Sequence, residues 1–246
     1  MAKHDFRAPR LFVDTPFAAL QNITLEADQA HYLRHVMRIA DGSEVLIFNG
    51  FDGEWLARVA ARGKRGAVLQ LEQQIRLQPE TFELVYAFAP LKHARLDYMV
   101  QKAVEMGASR LSPVLTQFTQ ISRVNMDRMR ANAIEAAEQC GILALPQIDE
   151  SVPFQKWLNS IPPSMAIVFC DEDATGSSPV EILQRSEFRE LVVLVGPEGG
   201  FSEDERGMLL ARERVIRLSL GPRILRADTA AVAALSLVQS IKGDWR

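Results

Sequence analysis

Apolar and polar positions change their spacing along the chain near residues 76–81. Before that point, short runs alternate with a period of two, the mark of half-buried strands. Residues 10–13 and 23–25 are brief strand candidates, Glu44–Phe48 is a β-prone apolar run, and residues 54–60 and 67–75 alternate. The stretches Asn49-Gly50-Phe51-Asp52-Gly53 and Arg62-Gly63-Lys64-Arg65-Gly66 read as turns between them. One helix, residues 29–37 with Asp28 as its candidate N-cap, interrupts the strands. Short strands joined by glycine turns predict a small barrel.

Beyond residue 81 the rhythm alternates between strand and helix. Residues 82–87, 111–115, 165–170, 191–195 and 215–218 read as strands. Residues 94–106, 126–140, 179–185, 203–212 and 229–241 read as helices. Leu96, Val100 and Ala103 share one face of the first helix, and Gly107 is its expected stop. Asn125 precedes the second helix, and Ser202 with Glu205 predicts a capping box. Such alternation predicts a mostly parallel sheet covered on both faces. The expected fold class is therefore α/β with a small all-β domain ahead of it, divided as residues 1–78 and 79–246.

Composition narrows the function. The chain has 246 residues, 48% apolar and 24% charged, which sets disorder aside. Lys and Arg total 28 and Asp and Glu 31, a net charge of -3, so the chain is no generic polyanion binder. A local basic patch still suffices for RNA. Residues 1–78 hold ten Lys and Arg against nine Asp and Glu, and the remainder 18 against 22, so the first segment is mildly the more basic. Cys140 and Cys170 cannot build a disulfide framework and form no Cys/His cluster, so no metal is expected. Cys140 reads as a small buried helix residue rather than a catalytic thiol. No apolar leader or membrane-length run is visible, and a cytoplasmic setting is expected.

Two glycine-bearing strand exits carry the candidate chemistry. The first is Leu194-Val195-Gly196-Pro197-Glu198-Gly199-Gly200-Phe201, between an apolar strand and a capped helix. Ligands of open α/β sheets bind beyond the carboxyl ends of strands, and glycines admit close backbone approach. A tight turn that binds nothing reads equally well from the glycines alone. The run is neither a dinucleotide fingerprint nor a phosphate loop. The second exit is Leu218-Ser219-Leu220-Gly221-Pro222-Arg223-Ile224-Leu225-Arg226-Ala227-Asp228-Thr229-Ala230, which enters a small-residue helix. There Asp228 also reads as a helix cap with Arg226 as its surface partner. Two such loops together form the kind of apolar pocket with backbone donors expected of a small cofactor.

Taken together, GPEGGF and the LGPRILRADTA that follows some twenty residues later resemble the SPOUT-class RNA methyltransferases. More narrowly, they resemble the ribosomal RNA small subunit methyltransferase E family, whose reaction is methylation of N3 of a uridine in 16S rRNA. PRLFV, HYLRHVMR, KHARLDYMVQKAVEMGA and EAAEQCG, in that order, extend the resemblance over almost the whole chain. Two positions depart from the family pattern: Asp228 where Glu is usual, and Ile142 where Arg is usual.

The resemblance implies a PUA-like RNA-binding barrel followed by a knotted α/β domain, S-adenosylmethionine as cofactor, and a homodimer. It places the cofactor against Leu194, Gly196, Pro197, Glu198, Gly199 and Gly200 of the first loop. From the second loop it adds Leu218, Leu220, Gly221, Ile224, Leu225, Thr229 and Ala230. Arg226 is expected against the uracil oxygens, and Asp228 as orienter of Arg226 or acceptor of the N3 proton. RNA contacts are expected from Arg7, Arg10, Arg34, Arg38, Lys64, Arg65 and Arg223, with 16S rRNA and the small ribosomal subunit as partners. A non-catalytic RNA-binding assembly factor, and a methyltransferase acting on a ribose 2′-OH or another base, are the alternatives. The nucleoside formed separates them.

Overall fold

The computed structural model describes residues 8–63, 66–92, 94–121, 123–174, 176 and 178–245. The chain forms two compact units, Met1–Glu80 with Ile134–Leu145, and Thr81–Ala133 with Pro146–Arg246. The segment 134–145 groups with the N-terminal residues despite its distance in sequence.

In the first unit, β1 (Arg10–Phe12), β2 (Asn22–Thr24), α1 (Ala27–His31), β3 (Glu44–Phe48), β4 (Glu54–Gly63) and β5 (Gly66–Arg76) follow in order. The sheet runs β1-β3-β4-β5-β2, with β1 parallel to β3 and the other pairs antiparallel. Three register shifts along β4 and β5 bend these long strands, since bulges kink and twist a ladder. The result is the small PUA-like barrel expected, in the form of a curled half-barrel whose strand order ends in β1 and β2. Leu33, Val45, Ile47, Leu69 and Leu71 fill its hollow face.

The helix of this unit starts earlier than its sequence suggests. Glu26, not Asp28, is the N-cap, and a reciprocal box with Gln29 leaves Asp28 inside the first turn. The helix then widens into a π-helical turn, Tyr32–Val36, before Arg38 adopts φ 55.

Buried polar groups tie the unit together. Glu54 is buried and receives Arg10 Nε at 2.9 Å and Arg76 Nε at 2.7 Å. Arg76 also donates to the carbonyl of Gly141 at 2.8 Å. Glu138 accepts the Phe12 N–H at 2.9 Å and the Tyr32 hydroxyl at 3.4 Å. The bonds to Gly141 and Glu138 fasten residues 134–145 to positions more than sixty residues away in sequence.

The second unit begins with β6 (Leu84–Phe88), α2 (Ala94–Glu105) and β7 (Arg110–Leu115). Helix α3 (Met126–Cys140), with its cap from Asn125 Oδ1 to the Arg128 N–H, carries the chain into residues 134–145. There follow β8 (Gln147–Ile148), β9 (Val152–Pro153), α4 (Phe154–Ser160), β10 (Ala166–Cys170), α5 (Pro179–Arg185) and β11 (Leu191–Val195). The unit ends with α6 (Glu203–Leu210), β12 (Val215–Leu218) and α7 (Ala227–Ile241). The strands run parallel in the order β12-β10-β11-β6-β7-β8, with β9 also on β7. The sequence pattern overlooks β8, β9 and α4. The strands have two residues each, and α4 is seven residues opened by Pro153, too short to show a period.

Strand alternation sorts the side chains between two faces. Val85, Ala87, Ile167, Phe169, Val192 and Leu194 pack against Phe154, Trp157 and Leu158 of α4 and Leu209 of α6. The opposite face takes Tyr86, Val168 and Val193. Helix α7 packs with α2 and α5, its buried stripe being Ala227, Ala230, Ala231, Ala234, Leu235 and Val238. Gln239 of α7, fully buried, donates to the Met106 carbonyl at 2.9 Å and caps the end of α2. Gly107 there has φ 76, and a Cβ on it would lie 2.4 Å from Gln239 Nε2, so glycine is required twice over.

Candidate functional site

Three strand exits of the second unit, not two, converge on one cleft of about 350 Å³. That size lies at the lower end of small-ligand pockets. Residues 195–201 after β11 and 218–225 after β12 form two walls, and residues 169–173 at the end of β10 form the third. Glu203, Arg206, Ala227 and Ala230 complete the lining.

Each wall has its own local cause. Ser202 caps α6 as expected: Oγ accepts the Glu205 N–H, and Glu205 returns a bond from the Ser202 N–H at 3.0 Å. Glu205 also receives the Gln117 N–H at 2.8 Å, which pins the turn to the segment after β7. A Cβ on Gly196 would lie 2.6 Å from the Phe201 ring, and one on Gly199 would touch Phe118 at 3.2 Å. These two glycines therefore let the loop fold over aromatic rings. Gly200 differs: its φ is 70, and Glu172 Oε1 lies 3.4 Å from where a Cβ would stand.

The third wall is held by a buried ion cluster. Asp171 is buried, and its carboxylate receives both Arg206 terminal nitrogens and, at 2.6 Å, Arg217 Nε. Burial works against this charge. The bonds from Arg206, Arg217 and the Asp173 N–H outweigh it and hold Asp171 below the usual carboxylate range. One carboxylate thus ties the β10 exit to α6 and β12. Cys170 beside it is a protonated thiol, since burial and the neighbouring Asp171 push it up to about 12. It is therefore no nucleophile.

Of the residues expected against a cofactor, Gly196, Pro197, Glu198, Gly199, Gly200, Leu218, Leu220, Gly221, Ile224, Leu225 and Ala230 line the cleft. Leu194 does not: it is core on the α4/α6 face, because its position in β11 points it away. Thr229 also lies off the lining, exposed on α7. Arg223, expected on RNA, is exposed on the cleft wall. Glu198 pairs with Arg95 at 3.1 Å across the surface.

Arg226 and Asp228 flank Ala227 at the cleft edge. Arg226 itself is the N-cap of α7, so Asp228 is not the cap; it sits in the first turn with Oδ1 accepting the Thr229 N–H at 2.9 Å. The two side chains form no ion pair with each other. Arg226 is exposed and Asp228 half-buried, so the guanidinium is presented to whatever occupies the edge.

In the first unit, Arg10 corrects an expectation: it is buried on Glu54 and does not face a polyanion. Arg38 is exposed just beyond the π-helical segment and Arg34 half-buried within it, near in sequence to His31 and His35, whose rings lie tilted at 36° with centroids 4.5 Å apart. Arg7, Lys64 and Arg65 lie outside the described residues. Cys140 is exposed, not buried. Lys102 and Glu105 pair at 2.7 Å on α2, as their spacing suggests.

Sequence reasoning missed the β10 wall. Its only signal is the acidic run Asp171-Glu172-Asp173 directly after an apolar strand. Among the described residues no group of His, Cys, Asp or Glu is placed to hold a metal ion, and no helix is long and apolar enough to cross a membrane.

Known proteins match both units. Residues 78–239 match the RNA methyltransferase domain family, and residues 25–72 the RNA methyltransferase PUA domain family. The chain is 29% identical over 231 residues to ribosomal RNA small subunit methyltransferase E of Rickettsia conorii, covering 94% of each chain. It is 24% identical over 239 residues to the Bacillus subtilis protein of the same name, covering 90% of this chain and 92% of that one. Among solved structures, a ribosomal RNA small subunit methyltransferase E from Neisseria gonorrhoeae bound to S-adenosyl methionine superposes with a TM-score of 0.88. It is 23% identical and covers 97% of this chain and 100% of its own. A putative methyltransferase from Legionella pneumophila, in complex with the same cofactor, gives 0.84 at 23% identity, covering 95% and 98%. These two share the fold.

Proposed function

The chain belongs to the RNA methyltransferase domain family, and from that premise we propose that it transfers a methyl group from S-adenosylmethionine to N3 of a uridine in 16S rRNA. The observation that carries this reading is the cleft where three strand exits meet inside the family domain. It fits the cofactor. Leu218, Leu220, Leu225 and Phe201 offer apolar walls, and Gly200 at φ 70 leaves free the space a side chain would fill. The loops around Gly196–Gly200 and Leu218–Leu225 would hold it, with Glu172 and Arg206 as polar partners. When bound, the group supplies an electrophilic methyl on a sulfonium.

The protein's own residues then have two tasks. They hold the base in line with that methyl, a form of positioning that contributes roughly 7–11 kcal/mol to lowering a barrier. They also handle the proton on N3, which is present at neutral pH. Arg226, exposed at the cleft edge and charged at any working pH, stabilises negative charge on the uracil oxygens. Asp228 accepts the proton or orients its acceptor, aided by the positive end of α7. No ion pair with Arg226 restrains it, which favours the acceptor role.

Residues 1–78 serve as the PUA-like RNA holder, with Arg34 and Arg38 on phosphate. Residues 79–246 carry the reaction and thread their C-terminal segment as a knot. Two copies associate through the second unit, whose Ile224 is 93% exposed at the cleft. The enzyme works in the cytoplasm on the small ribosomal subunit. Methyl transfer from labelled S-adenosylmethionine to 16S rRNA, followed by nucleoside analysis, tests the proposal. Label in N3-methyluridine supports it; label in a ribose, or none, refutes it.

A further inference from the structure

Tyr86 lies at the centre of the parallel sheet, on β6, and is fully buried. Its ring stacks on Phe88 with centroids 4.9 Å apart. Its hydroxyl has no hydrogen-bond partner among the described residues. A buried hydroxyl without a partner is disfavoured, and its presence calls for an explanation. Leucine or phenylalanine would fill the same space without that penalty.

The direction of the side chain supplies the explanation. Val85 and Ala87 face the α4/α6 cluster, so Tyr86 faces the opposite side, with Val193 and Val168 as its register neighbours. Cys170, two positions beyond Val168, points the same way at the end of β10. It lines the cleft, as do Ala227 and Ala230 of the first turn of α7. Tyr86 itself does not line the cleft; its phenol is buried on the sheet face that Cys170 shares. Burial lifts its pKa well above the usual range, with Cys170 and then Asp228 adding to the effect. Asp228 uses Oδ1 for the Thr229 N–H and has no other partner among the described residues.

We propose that Tyr86 is a positioning residue: its phenolic O–H donates to the Asp228 carboxylate from beneath α7 when substrate occupies the cleft, fixing the orientation in which Asp228 meets the base. The donor is neutral and stays protonated, so it steadies the carboxylate without supplying a competing positive charge. The inference rests on the proposed role of Asp228 and deepens it.

Tyr86→Phe removes only the oxygen and keeps the ring and its stack on Phe88. The experiment compares this variant, Asp228→Asn and the double variant. It reads thermal unfolding of the free protein, calorimetric affinity for S-adenosylmethionine, and methyl transfer to 16S rRNA. Tyr86→Phe should unfold at the same or a higher temperature, because an unsatisfied hydroxyl is gone. It should bind the cofactor as the wild type does and turn over roughly 10- to 100-fold more slowly, the loss expected of one hydrogen bond to a charged group. Added to Asp228→Asn, it should cause no further loss, as coupled partners behave. Full turnover by Tyr86→Phe, or a loss that multiplies with that of Asp228→Asn, overturns the inference. A clear fall in unfolding temperature assigns the hydroxyl a structural role and overturns it as well. The methyltransferase reading fails separately, by absence of transfer in the wild type.

Discussion

Glu138 should make the first unit less stable as the pH rises, and Glu138→Gln should abolish that dependence. The carboxyl is buried, and burial raises its pKa from 4.5 to about 7. Bonds from the Phe12 N–H and the Tyr32 hydroxyl oppose the rise, and the nearby Glu135 charge adds to it. The folded protein thus keeps a proton that the unfolded chain releases near pH 4.5. Between pH 4.5 and 7 the unfolded state binds fewer protons, so stability falls with increasing pH. The full loss is about 3 kcal/mol, reached above pH 7 and absent below pH 4.5. Glutamine keeps the shape, accepts the Phe12 N–H through its Oε1, and carries no charge. The variant should match the wild type near pH 5 and exceed it by about 1–3 kcal/mol near pH 8. Hydrogen exchange at the Phe12 amide, read across that range, reports the unit directly. Wild type and variant with parallel pH profiles would refute the reasoning.

Four further outcomes are expected. Arg10→Ala leaves Glu54 with Arg76 alone; breaking a buried pair this way should destabilise by about 3–5 kcal/mol in urea titration, and an unchanged midpoint would contradict it. Arg34→Ala with Arg38→Asn, asparagine being tolerant of the positive φ, should lower the salt slope of RNA binding by about one to two; a constant slope would show that neither arginine touches phosphate. Gly200→Ala should cost about 1 kcal/mol from its φ of 70 and weaken S-adenosylmethionine binding by calorimetry; unchanged heats would remove that loop from the site. Arg226→Ala should lower turnover by about 10²–10³ with cofactor affinity intact, whereas near-normal turnover would return Arg226 to a plain helix cap.

The elements that were legible in the sequence were those with a clear period or cap. Glu44–Phe48, Leu191–Val195, Val215–Leu218 and Pro179–Arg185 emerged with their observed bounds. The capping box at Ser202 was readable because both partners lie three residues apart. What escaped depends on long-range contacts. Closure of the first unit by residues 134–145 rests on Glu138 meeting Phe12, 126 positions away, and α3 shows no local sign of it. The burial of Arg10 follows from Glu54, 44 positions on, so its charge looked free. The glycine motif identified the β11 exit, but not that Gly196 and Gly199 serve the Phe201 and Phe118 rings. The β10 wall carries acidic residues rather than glycine, and only the parallel pairing of β10 with β11 and β12 brings it to the site.

The central claim is that this cleft and its edge residues methylate N3 of a uridine in 16S rRNA. Its most direct test is mass spectrometry of nucleosides from unmethylated 16S rRNA, or small subunits carrying it, after incubation with the protein and isotopically labelled S-adenosylmethionine. The account predicts a single labelled N3-methyluridine per rRNA, lost in Arg226→Ala. Label in a 2′-O-methylated ribose or another base, or an rRNA bound but unlabelled, would contradict it.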